Sequence, residues 1–333
     1  MAITPKIELH VHLEGSVRPA RLLAIARRNG VTPPAQTVEA LAELYRFRDF
    51  RHFLDVWTLS TAAFLHADDF REIVVDYAEE AAGHGAVYLE AIFSPAEPAS
   101  RGVPWEEVFA GYCDGAQEAR ERHGVEVRLT PDIPRQFPLE AAERTARMAV
   151  MHRDRGVVGL GLGGPEREFP PEPFARAFAI ARDGGLGAVP HAGEVAGAAS
   201  ILGALDALGA VRLRHGIRAA EDPELMRELA DRGVVLDVCP TSNVRTGAVA
   251  SIDAHPLARL VAAGVRCTLN TDDPAMFGTD LGREHAIARA AGLPGRAFYD
   301  AGLAGALCDD ATRSRLRALG VAVDWDAAEA AEA

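Results

Sequence analysis

The 333-residue chain is 48% hydrophobic and 25% charged, with 48 acidic against 35 basic residues and a net charge of −13. That composition suits a globular protein, and the excess of acid excludes a general nucleic-acid binder, which needs clustered Lys and Arg against phosphate. No apolar run reaches the roughly 20 residues that span a bilayer, so no membrane partner is expected, and the first residues lack the basic-then-apolar layout of a secretion signal. Cys113, Cys239, Cys267 and Cys308 form no C-x-x-C pair, so the expectation is a cytoplasmic protein with reduced thiols.

The first β-rich run is Lys6–Leu13 (KIELHVHL). Positions i and i+2 of a strand point the same way, so His10 and His12 share a face; paired there, they suit a metal ion or are merely polar residues on a half-exposed strand. Roughly seventy residues separate Gly15 from Gly85, too many for one crossover helix, so extra helices are expected over the barrel mouth. Further runs follow at Ala86–Ser94, Val125–Ile133, Val157–Gly164, Leu186–Glu194, Val211–Gly216, Val234–Asn243 and Val265–Asp273. Helical segments such as Leu139–Asp154 and Pro223–Arg232 lie between them. Strand–helix alternation implies parallel pairing through right-handed crossovers, and eight units match a closed (β/α)8 TIM barrel better than a doubly wound sheet. One barrel domain over residues 1–320 is expected, then an acidic, low-complexity tail over residues 321–333.

Chemistry in such barrels gathers at the C-terminal strand ends. Those ends carry His10 and His12 on the first strand, His191 and Glu194 on the fifth, His215 on the sixth, and Asp272 and Asp273 on the eighth. The alternative is that these are unrelated residues capping the helices that follow, as Asp often does. Taken as one set, three imidazoles and one carboxylate (His10, His12, His191, Asp272) suit Zn²⁺ with an open position for water. A second metal needs a bridging ligand, but the fourth strand offers glycines, and Lys6, the only lysine, sits at the wrong end of the first. One zinc per chain is expected. Of the remaining residues, His215 is placed to act as a base toward water, Glu194 as a proton donor, and Asp273 as a holder of a second substrate atom, which together describe hydrolytic attack at an electrophilic carbon.

The motifs ELHVHLEGS, HAGE, RHG, VLDVCPTSN and TLNTDDPAMFG, in that order, resemble the adenosine deaminase family of the amidohydrolase superfamily, from about residue 5 to about residue 310. The resemblance implies zinc-dependent hydrolytic removal of the 6-amino group from a purine nucleoside, with the zinc on His10, His12, His191 and Asp272. It further implies that Glu194 protonates the purine N1, that His215 helps generate hydroxide, that Asp273 hydrogen-bonds N7 and that the backbone at Gly164 meets N3. Glu14 stands where the family commonly has Asp beside the ribose 5′-hydroxyl, and Arg214 where it has glycine. Members with HLEG include adenine deaminases and the 6-aminodeoxyfutalosine deaminases of menaquinone biosynthesis, whose substrate carries a carboxyphenyl ketone in place of that hydroxyl. Arg46, Arg48, Arg135, Arg214 and Arg245 would suit the carboxylate, or else are surface charges and ion pairs. 6-Aminodeoxyfutalosine is the leading substrate, followed by adenosine and then adenine. Glu194 and Asp273 suit a purine better than a cyclic amide opened by other amidohydrolases. A non-catalytic purine-binding barrel would be expected to have lost an acid, base or ligand, and none is missing.

Overall fold

The computed structural model describes residues 3–332. Strands Lys6–His12, Ala86–Phe93, Glu126–Pro134, Gly159–Gly163 and Gly187–Ala188 pair in chain order, all parallel. So do His191–Ala192, Arg212–His215, Val235–Val238 and Arg266–Leu269. The two arcs are joined within the fifth strand, which Pro190, lacking an N–H, divides into two short pieces. Val189 N–H still donates to Leu160 O at 2.9 Å on one side, and Pro190 O accepts from Arg214 N–H at 3.0 Å on the other. The ring closes where His12 N–H donates to Asp272 O at 2.7 Å and Asp272 N–H donates to His10 O at 3.1 Å. This is the eight-stranded parallel barrel expected from strand–helix alternation. Helices cover its outside and side chains fill its inside, which is why its strands are buried along nearly their whole length.

Two guanidinium groups lie inside that filling. Arg212 donates to Glu90 Oε2 and to Asp237 Oδ2, each at 2.6 Å, with all three residues 0% exposed. Arg214 pairs with Asp132 and donates to Thr130 Oγ1 at 2.7 Å. A Cβ on Gly161 would lie 1.9 Å from Asp132 Oδ1 and 2.2 Å from Arg214 Nη1, so the fourth-strand glycines make room for this ion pair. Arg214 therefore belongs to the barrel core beneath the mouth, and not to the mouth itself as expected from its strand-end position.

Four helices fill the long first connection: Pro19–Arg28, Val38–Leu44, Phe50–Thr61 and Ala67–Gly83. The third is capped by Asp49, whose side chain accepts from His52 N–H at 2.8 Å. It packs Phe53 against Phe277, with centroids 5.0 Å apart, at the end of the eighth strand–helix unit. That contact brings Phe50, Leu54, Trp57 and Thr58 to the wall of the central cavity, so this helix is the part of the insertion that meets the mouth. The acidic segment expected as a tail is helical over Trp325–Glu332. Trp325 is buried against Tyr299, and Glu332 Oε1 accepts from Thr4 N–H at 2.6 Å. Among the described residues, no helix is long and apolar enough to cross a membrane.

Candidate active site

At the C-terminal mouth of the barrel, Nε2 of His10, Nε2 of His12, Nε2 of His191 and a carboxylate oxygen of Asp272 converge within 4.8 Å of one another. The tautomers are fixed from behind. His10 Nδ1 faces the Asp237 carbonyl at 3.3 Å and His191 Nδ1 faces the Leu162 carbonyl at 3.0 Å. A carbonyl only accepts, so each ring carries its proton on Nδ1 and presents a lone pair on Nε2. Those two lone-pair atoms are 3.1 Å apart, an approach that is repulsive without a cation. Burial also holds all three imidazoles well below the usual histidine pKa, in their neutral, ligating form. Asp272 Oδ1 lies 3.3 Å from His10 Nε2 and 3.4 Å from His12 Nε2, while His12 and His191 Nε2 are 3.2 Å apart. Donor separations of this size suit atoms about 2.0–2.1 Å from a common centre, the distance of nitrogen and oxygen ligands from zinc. The donor set fits a metal ion.

His215 and Asp272 are the two non-glycine residues with left-handed backbone among those described, at φ 59° and 65°. Each such residue costs about 1–3 kcal/mol and persists only where its surroundings enforce it. Here the Ser242 hydroxyl donates to Asp272 Oδ2 at 2.5 Å, and Asn243 Nδ2 meets His215 Nδ1 at 3.1 Å. His215 Nε2 lies 3.7 Å from both Asp272 Oδ2 and Glu194 Oε2. Burial, then the charges of Asp272 and Glu166, push Glu194 well above the usual carboxylate pKa, favouring its proton-donating form. The turn carrying Glu194 is clamped by Glu166, whose Oε2 accepts from the backbone N–H groups of Glu194, Val195 and Ala196 at 2.9–3.1 Å. Asp273 precedes the short helix Pro274–Phe277 without capping it; its Oδ1 instead accepts from Trp57 Nε1 at 3.1 Å. The helix-cap alternative fails there. A Cβ on Gly15 would fall 1.7 Å from Asp273 Oδ1, so the glycine behind HLE leaves space for this carboxylate.

These groups line one cavity of about 690 Å³, counting its open mouth. His12, His191, Glu194, His215, Asp272, Asp273 and Gly164 all face it. His10 lies beneath, fully buried. Glu14 is not among the lining residues: its Oε1 accepts from Ser94 N–H at 2.7 Å, in a small cavity that shares Trp57 and Glu97 with the large one. Residues that sequence patterns did not single out supply much of the wall, namely the aromatic face of helix Phe50–Thr61 and the polar side chains of Ser94, Glu97 and Gln136. The last three all sit just beyond strand ends, which is the one signal that could have found them.

None of the five arginines expected to meet a substrate carboxylate lines the cavity. Arg135 is 1% exposed and donates to the His191 carbonyl at 2.7 Å, and Arg214 is in the core. Arg46 pairs with Glu43 at 3.2 Å, Arg245 donates to the Tyr45 carbonyl at 2.8 Å, and Arg48 is exposed. Phe50 and Thr246, however, also line a neighbouring groove that contains Arg51 and Arg167.

A closed parallel barrel that gathers imidazoles and carboxylates at its C-terminal mouth is the architecture of the amidohydrolase-type enzymes. The adenosine deaminase family model matches residues 5–319, and the chain belongs to that family. It is 54% identical over 328 residues to an aminodeoxyfutalosine deaminase of Acidothermus cellulolyticus, covering 96% of this chain and 92% of that protein. Among solved structures, adenine deaminase from Arthrobacter aurescens superposes with a TM-score of 0.91 at 31% identity, covering 96% of this chain and 98% of the other. A zinc-bound amidohydrolase from Burkholderia ambifaria superposes with a TM-score of 0.87 at 27% identity, covering 99% and 92%.

Proposed function

We propose that this chain is a zinc-dependent deaminase that hydrolytically removes the 6-amino group of an adenine nucleoside, with 6-aminodeoxyfutalosine as its leading substrate. The observation that carries the reading is the 54% identity to an aminodeoxyfutalosine deaminase across nearly the whole of both chains. The substrate enters the cavity with its purine ring between Glu194 and Asp273. Glu194 gives its proton to N1, which makes C6 electrophilic, while Asp273, oriented by Trp57, holds N7 and the Gly164 backbone meets N3. His215 acts on the attacking oxygen from the other side. Zinc, held by His10, His12, His191 and Asp272, supplies when bound a water whose pKa is lowered toward about 7. Addition of the Glu194 proton at N1 and of the nucleophile at C6 gives a tetrahedral carbon. Its C6–N(amino) bond then breaks as the hydrogen of the new C6 hydroxyl passes to the departing NH2, leaving ammonia and a C6 carbonyl.

The test is ammonia release from 6-aminodeoxyfutalosine, adenosine, methylthioadenosine and adenine, with 6-aminodeoxyfutalosine expected to have the highest kcat/KM. Equal or better turnover of adenosine returns the chain to adenosine deamination. A second reading, deamination of free adenine, is favoured by the likeness to the Arthrobacter aurescens adenine deaminase and by a cavity lined with carboxylates and no Arg or Lys. The two readings part at the groove beside Phe50 and Thr246. An arginine there adds a charge-assisted hydrogen bond to a substrate carboxylate, about 1.5–3 kcal/mol, which is roughly ten- to a hundred-fold in kcat/KM. Replacing Arg51 and Arg167 together by Gln is expected to remove that preference and to change adenosine kcat/KM by less than about threefold. Unchanged preference in the double variant removes these arginines from the reading.

Metal analysis is expected to return one zinc per active chain, because no lysine stands near enough to bridge a second ion: Lys6 bonds Thr4 at the opposite end of the first strand. Chelation should abolish turnover, and one equivalent of zinc should restore it. Two tightly held ions per active chain would contradict this assignment.

A further inference from the structure

We infer that Asn243 and His255 are positioning residues that lock the ring of His215 in one tautomer, with its proton on Nε2, so that His215 meets the reacting oxygen as a hydrogen-bond donor. The inference rests on the proposed deaminase reading only in placing His215 beside that oxygen; the hydrogen-bond chain stands on the structure alone.

The chain begins at a group whose role is not negotiable. The backbone N–H of Leu257 can only donate, and it donates to His255 Nδ1 at 3.1 Å. His255 Nδ1 is therefore the acceptor nitrogen, and a neutral ring must carry its proton on Nε2. Burial holds His255 down to about pKa 4, so the ring is neutral in ordinary buffers. His255 Nε2 lies 3.1 Å from the side chain of Asn243, whose atom there must be the carbonyl Oδ1. The amide orientation of an asparagine is settled by such a partner. Asn243 Nδ2 then faces the other way, donating to His215 Nδ1 at 3.1 Å. With Nδ1 accepting, the neutral His215 ring carries its hydrogen on Nε2, the atom aimed between Asp272 and Glu194 at 3.7 Å from each. Separations of that length are too long for direct hydrogen bonds, so the Nε2–H remains available to an oxygen placed beside all three groups. Asn243 is 0% exposed and His215 is 1% exposed, so water does not compete for the link between them, while His255 is half-buried at the outer end of the chain. A ring held this way has no free lone pair toward the cavity with which to take a proton; it stabilises negative charge on the attacking oxygen instead.

The test uses the zinc-loaded full chain labelled with ¹⁵N-histidine. The His215 signals, assigned by loss in His215→Gln, should show the Nε2–H tautomer; the Nδ1–H tautomer in the wild type overturns the proposal whatever the activity data say. Asn243→Asp places an acceptor against Nδ1 and should switch His215 to the Nδ1–H form. Its kcat should fall at least about tenfold with KM changed less than about threefold, in the range of other supporting-residue losses. His255→Leu should lower kcat in the same way, whereas His255→Gln, which keeps a donor near the Nε2 position, should recover kcat to within about threefold of wild type. Retained kcat in both Asn243→Asp and His255→Leu also overturns the proposal. Wild-type protein with the Nε2–H signal but no turnover of any aminopurine would instead refute the deaminase reading and leave the hydrogen-bond chain standing.

Discussion

Glu194→Gln is expected to lower kcat by about 10²–10⁴-fold, the usual contribution of a positioned general acid or base, while leaving the zinc content unchanged. The amide is nearly the same shape as the acid, so the turn held by Glu166 should survive. Glutamine cannot give up a proton to a ring nitrogen at any accessible pH. The wild-type carboxyl is suited to the task because burial and the neighbouring charges of Asp272 and Glu166 favour its protonated form. Metal analysis alongside steady-state kinetics separates this from damage to the ligand set. Near-normal kcat in Glu194→Gln would mean that the proton reaches the substrate from another group.

The second large effect lies in stability. Arg214→Met should destabilise the zinc-loaded protein by about 3–5 kcal/mol, the typical result of removing one partner from a buried ion pair. The remaining carboxylate of Asp132 is 2% exposed; it keeps the more distant charge of Arg135 and a neutral His191 ring whose Nδ1 is 3.4 Å away, and, among the described residues, no second ion-pair partner. Burial already raises the Asp132 pKa to about 6 with Arg214 present, which shows how costly the charge is in that layer. Adding Asp132→Asn to Arg214→Met should recover a large part of the loss, because no charge is then left uncompensated. Urea denaturation at fixed zinc concentration reads both changes. A loss below about 1 kcal/mol in the single variant would show that the pair is not desolvated as its burial implies.

The sequence by itself determined the number and order of the strands, because parallel strands buried on both faces must be written as short β-rich runs separated by helix-length segments. It also marked the candidate ligand set. His10, His12, His191 and Asp272 all stand at strand ends, and a barrel brings such ends together whatever the loops do. Glu194, His215 and Asp273 were legible for the same reason and Gly164 through the resemblance to the family, and all of them face the cavity.

What only the tertiary structure decided is how long side chains and inserted helices use the space between those ends. An arginine reaches several ångströms from its Cα, so Arg214 read equally well as a mouth residue and as the core partner of Asp132; Gly161, on another strand, settles it. Glu14 turns to the Ser94 backbone behind Trp57, away from the large cavity, because that wall is built by a helix from the insertion, whose docking no local pattern encodes. The Leu257–His255–Asn243–His215 chain was equally hidden. Its members come from the ends of the sixth and seventh strand units and the loop after them, and a hydrogen bond acquires its direction only when donor and acceptor meet in space. Periodicity and strand-end position record which face a residue occupies; which partner it finds there is set by packing between segments far apart in the chain.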